Sequence, residues 1–147
     1  REVIEFLFFV GLVAEVGVVR SSEGEQIDFG PGSKCMFRLP PGFLVDAASS
    51  DEYVIRFNNR EKDERKYVWG SARVLEDVDL EERLKQPNHA VRAYKNATIE
   101  KAVSRQGNII ETAFEVVIRR QAIRFGSFSD ALIPKPEDVV DACGPAK

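Results

Sequence analysis

Few side chains in this sequence are placed to do chemistry. His89 is the one histidine, and Cys35 and Cys143 are the only cysteines. A zinc site needs about four nitrogen or sulfur ligands, and one histidine with two distant thiols falls short. A histidine-based triad needs a nucleophile and an orienting acid around the imidazole. His89 follows Pro87 and Asn88, which supply neither, so it reads as a surface or capping residue. Carboxylates abound, but Glu76, Asp77, Asp79, Glu81 and Glu82 fall together at the expected start of a helix, where the helix dipole favours negative charge. They lack the oxygen-ligand spacing of a dedicated calcium loop. Neither G-x-x-x-x-G-K-[ST] nor G-x-G-x-x-G occurs, so nucleotide binding has no motif. No catalytic residue, metal or cofactor is expected, and the chain is read as non-enzymatic.

The cysteines are either one disulfide or two separate thiols, and spacing alone does not decide. A Cys35–Cys143 bridge would close a long loop, worth roughly 4 to 5 kcal/mol for a loop of about 100 residues in the chain-entropy model. It would place the chain in an oxidising compartment and pin the polar tail that holds Cys143.

Charge clusters offer binding rather than catalysis. Arg60, Lys62, Arg65 and Lys66 alternate with Glu61, Asp63 and Glu64. They form either a solvated tip that protects a sheet edge or a docking tip that steers a protein partner by ion pairs. Arg119, Arg120 and Arg124 offer a second docking patch. The net charge of −3 and the pI near 5.3 argue against a nucleic-acid partner, which calls for a basic surface.

The 17-residue stretch Val3–Val19 is apolar except for Glu5 and Glu15, and it carries Phe6, Phe8 and Phe9. Three readings stay open: a helix in contact with a membrane or a membrane protein, a buried core element, or the remnant of a signal sequence. As a helix it would span about 25 Å, short of a bilayer core of about 30 Å. Arg1 and Arg20 flank it as an anchor would require. Gly11 and Gly17 weaken a helix, and Val16, Val18 and Val19 suit a strand. Glu5 or Glu15 in a membrane-embedded site is also a potential ligand of a pigment magnesium.

The remaining elements follow from periodicity. Residues 21–33 are polar and Gly-rich and read as a linker. Cys35, Phe37 and Leu39 alternate onto one face, and Pro40-Pro41-Gly42 forces a turn. Tyr53, Ile55 and Phe57 alternate likewise, and Lys66–Glu76 is the partner strand beyond the charged tip. In that strand Tyr67 and Trp69 are placed to stack across the sheet, while Gly70 and Ala72 admit close packing. Asp77–Gln86 predicts a short helix, with Asp79 and Glu82 in capping-box spacing. His89–Ala97 predicts a further helical turn or a strap, and Thr98–Val103 a strand. Ile110, Thr112, Phe114, Val116 and Ile118 share a face of the longest strand signal, and the parity switch to Ile123 and Phe125 requires a bulge or turn near Arg119–Ala122.

In order along the chain, Phe37-Arg38-Leu39-Pro40-Pro41-Gly42-Phe43, Val54–Asn59, Tyr67–Glu76, Val78–Leu84 and Ile110–Ile118 resemble segments of the PsbP-like family of extrinsic, thylakoid-lumen photosystem proteins. The resemblance covers residues 34–128. It implies a lumenal or membrane-surface accessory protein and carries over no ligand residues. The Pro-rich tail and the apolar N-terminal stretch depart from the family pattern, and periplasmic bacterial domains share the same corner.

The sequence therefore predicts an α+β domain over 34–128, an antiparallel sheet of about five or six strands with one or two packed helices. Residues 1–20 precede it as an apolar segment, 21–33 as a linker, and 129–147 follow as an extended tail. The expected function is a non-enzymatic accessory or assembly subunit of a membrane-associated complex. It would dock through Phe6, Phe8, Phe9 and the charged tips. The alternative is a periplasmic inhibitor or immunity-type binder.

Overall fold

A computed structural model describes residues 16–21, 24–30, 35–76, 90–129 and 133–144. In chain order the strands are β1 (Gly17–Ser21), β2 (Gly24–Asp28), β3 (Met36–Arg38), β4 (Leu44–Val45), β5 (Val54–Asn58) and β6 (Val68–Val74). They continue as β7 (Ala90–Tyr94), β8 (Ala97–Gln106), β9 (Ile109–Ile118) and β10 (Gln121–Ser127). A short helix, α1 (Pro136–Asp141), precedes the last strand, β11 (Cys143–Gly144). Among the described residues these make two antiparallel sheets, a four-stranded one ordered β1-β2-β3-β11 and a seven-stranded one ordered β4-β5-β6-β10-β9-β8-β7.

Phenylalanines join the sheets. Phe37 of β3 and its flanking Cys35 and Leu39 are all buried. Phe37 meets Phe57 of β5 at 6.4 Å and Phe125 of β10 at 6.2 Å between ring centroids. Phe43 and Phe114 complete the cluster against Phe125, at 5.7 Å and 5.6 Å. Gly70 makes this density possible. It lies in register between Phe57 and Phe125, and a Cβ there would strike the Phe57 ring and come within 2.7 Å of the Arg124 carbonyl oxygen. Phe43 reaches the cluster because Pro40-Pro41-Gly42 reverses the chain: Gly42 takes φ +87°, and the Phe43 N–H donates to the Pro40 carbonyl at 3.1 Å. A positive φ at the third position of such a turn is one that glycine adopts without strain.

The α+β expectation is overturned, because strand dominates and the described residues hold one short α-helix. Residues 90–94, expected as a helical turn or strap, form β7 because they pair residue for residue with β8 across a turn at Lys95 and Asn96. Lys95 adopts φ 53° there. Tertiary pairing outweighs weak local preference in so short a segment. The expected helix Asp77–Gln86 and His89 lie outside the described residues. The stretch expected as a linker contains β2, and Ile27 of β2 and Phe29 just after it are buried. The tail expected to be extended contains α1 and β11. Tyr53 is exposed rather than inward, since the Asp51 carboxylate accepts the backbone N–H groups of Tyr53 and Val54 and turns the chain before β5 begins.

Cys143 pairs with Phe37, two residues from Cys35. The two cysteines are joined as a disulfide, with Cα atoms 5.0 Å apart and 108 residues of sequence separation. Just before Cys143, in the second half of α1, Val139 and Val140 are buried in the core. The C-terminal segment thus ties the two sheets together.

Candidate functional site

The seven-stranded sheet ends unevenly. β10 pairs with β9 only as far as Ser127 opposite Thr112, and β7 is described against β8 only as far as Ala90 opposite Lys101. The β8–β9 ladder continues through Val103–Thr112, Ser104–Glu111 and Arg105–Ile110 to Gln106–Ile109. Gly107, at φ 62°, and Asn108 close the tip. Every residue from Lys101 to Ile110 is exposed. Among the described residues this arm is two-stranded and extends about 17 Å, at roughly 3.3 Å per residue over five residues.

Alternation assigns each side chain of the arm to a face. Lys101, Val103, Arg105, Ile110 and Thr112 share the face that continues into the phenylalanine core. Ala102, Ser104, Gln106, Ile109 and Glu111 share the opposite one. Val103, Ile109 and Ile110 are 54%, 58% and 42% exposed. The core-continuous face is cationic and aliphatic. Glu100 and Glu111 both alternate away from it.

At the base of the arm an open cleft of about 200 Å³ lies between β8–β9 and the segment leading into α1. Thr112 and Phe114 belong to its sheet side, Ile133 and Pro134 to the opposite side, and the exposed Lys101 and Lys135 also line it. α1 is held over the sheet by polar clamps. The Arg92 guanidinium donates to Glu137 at 2.6 Å, Lys95 donates to Asp141 at 2.6 Å, and the Tyr94 hydroxyl donates to the same carboxylate at 3.2 Å. The Arg92 hydrogen bond lowers the Glu137 pKa, with a smaller contribution from the charge of Lys135. The Lys95 hydrogen bond lowers that of Asp141, and the same contact raises that of Lys95.

The docking residues expected from sequence separate in space. The registers put the segment 59–66, with Arg60, Lys62, Arg65 and Lys66, at the same end of the sheet as the arm, since Asn58 leads through Trp69 and Gly126 to Ala113 and Ala102. Arg119 and Arg120 sit at the other end, in the β9–β10 turn.

Two cations of the tip have local roles. Arg60, at φ 60°, donates to the Val45 carbonyl at 3.2 Å, and Arg65 pairs with Asp63 at 3.3 Å. Asn59 stiffens the tip. Its amide donates to the Lys66 carbonyl at 2.7 Å, and its oxygen accepts the Val68 N–H at 3.1 Å. Arg120 likewise serves the backbone, donating to the Leu75 carbonyl at 3.1 Å. Beside the tip Tyr67 stacks on Trp69 at 5.9 Å, neighbours on one strand face rather than partners across the sheet, and Trp69 meets Phe128 at 5.1 Å.

Phe6, Phe8 and Phe9, with Glu5 and Glu15, lie outside the described residues. The end of that apolar stretch is described: Val16 is buried, Val18 packs on the core, and Val19 is exposed in β1. Among the described residues no group of His, Cys, Asp and Glu is arranged to hold a metal ion, and no helix is long and apolar enough to cross a membrane. The arm was missed in the sequence, although its signal was present: Val103, Ile109 and Ile110 flank a Gly-Asn turn between two strands. No family model matches the chain, and neither a curated protein nor a solved structure matches it.

Proposed function

We propose that the chain is a non-catalytic docking subunit that binds a protein partner through the β8–β9 arm. One observation carries this reading: ten consecutive residues, Lys101–Ile110, are exposed, with Val103, Ile109 and Ile110 among them. A two-stranded ribbon is at best marginally stable in water by itself, and its strand edges invite pairing. Covering the three aliphatic side chains would gain about 25 cal/mol per Å² of apolar surface. The charged tip at the same end of the sheet supplies steering. The Cys35–Cys143 disulfide fits an oxidising compartment, where the sequence expectation of a lumenal or periplasmic accessory protein would have it work. The narrowness of the arm also favours a second reading, an inhibitor that inserts the arm into an enzyme cleft.

A photo-crosslinking residue at Ile110 tests the docking reading in the source cells. Leu44 is the control, because it is equally exposed and apolar but lies on the opposite edge strand. A single discrete partner at Ile110 and none at Leu44 is expected. Equal or absent crosslinking at both positions overturns the proposal. If the partner is an enzyme, assay of its activity in the complex selects between the accessory and inhibitor readings.

A further inference from the structure

We infer that the cleft beneath the arm receives one bulky apolar side chain from an extended acidic segment of the partner, with carboxylates on either side of that side chain meeting Lys101 and Lys135. The inference rests on the docking reading and names the chemistry of the partner. The cleft measures about 200 Å³ and is built from Phe114, Thr112, Ile133 and Pro134. A protein cavity of about 150 Å³ accepts a benzene ring, so the space suits a phenylalanine or leucine side chain. Phe114 is stacked on Phe125, and Pro134 and Pro136 restrict the backbone on the far side.

Charge selects the flanks. Lys101 and Lys135 line the cleft, no carboxylate does among the described residues, and Arg105 adds a third cation farther along the same face. Lys101 and Arg105 have no ion-pair partner among the described residues. Glu137, on whose carboxylate the charge of Lys135 also acts, is already engaged by Arg92. The same cations argue against a second copy of this chain, because two copies joined through this face would set like charges together. An extended segment fits because the sheet beside the cleft is an exposed ladder, and peptides commonly dock along such strands.

The probe is a capped pentapeptide with phenylalanine between two pairs of glutamates, titrated into the full chain and followed by backbone amide NMR. The controls are a peptide with lysines in place of the glutamates and the variant Lys101→Glu/Lys135→Glu, whose substitutions are at exposed positions. Saturable shifts at Lys101, Thr112, Phe114 and Ile133 are expected, with affinity lower by roughly tenfold in the variant and no binding of the lysine peptide. Equal binding of the two peptides, shifts away from the cleft, or no saturation overturns the inference. So does Lys101-dependent binding to phosphatidylglycerol vesicles without peptide binding. If the cleft fails while Ile110 still crosslinks a partner, the docking reading stands and only this inference falls. If both fail, both fall.

Discussion

Gly70 has Phe57 in register on one side and Phe125 on the other, and the space a Cβ would occupy is already filled by the Phe57 ring. Gly70→Ala should therefore destabilise the fold by about 1–3 kcal/mol, the usual range for overpacking, read as a lower denaturant midpoint at unchanged slope. Asn59→Ala should cost about 1 kcal/mol or more, because it removes side-chain hydrogen bonds to the Lys66 carbonyl and the Val68 N–H. Much at this scale was legible. The alternation of Cys35, Phe37 and Leu39, the Pro-Pro-Gly corner and the need for room at Gly70 follow from residue type and period. Tyr53 was not legible, since its direction is set by hydrogen bonds to Asp51 rather than by the period of the strand it precedes.

Among the elements, the arm and the clamped helix respond differently to perturbation. Val103→Ser/Ile110→Ser alters exposed positions and should leave stability within about 0.5 kcal/mol while removing partner crosslinking. The α1 clamp should be pH-sensitive. Glu137 and Asp141 have pKa values held below their ordinary 4.5 and 3.8, so their contribution is present above those values and is lost as pH falls through the lowered ones. Lys95 is shifted above 10.5, so its share is present below that value and lost as pH rises past the raised one. Amide hydrogen exchange in α1 should accelerate at both extremes before the β6–β10 ladder responds; uniform exchange across the two would count against the clamp. The strands of the arm were readable from their apolar alternation, and the turn near Arg119 from the parity switch. Their projection was not, because it depends on where β10 stops, which no local period encodes. For the same reason β7 was mistaken for a helical turn: its strand identity comes from β8.

At the scale of the whole molecule the C-terminal segment is the brace, with α1 on the seven-stranded sheet and β11 bonded to the four-stranded one. Cys143→Ala opens a loop spanning 108 residues and should cost roughly 2–5 kcal/mol, measured as a shift in the unfolding midpoint under non-reducing conditions. The layering of two sheets was hidden in the sequence, because a polar stretch supplies β2 and a Pro-rich tail supplies β11. With its core closed and braced, the molecule leaves its exposed aliphatic ribbon at one end, and that ribbon is the proposed docking surface. The direct test is the affinity of the purified crosslinked partner for the wild-type chain and for Val103→Ser/Ile110→Ser. Saturable binding should weaken by roughly tenfold or more in the variant, with the folding midpoint unchanged. Equal affinity for the two chains would contradict docking through the ribbon.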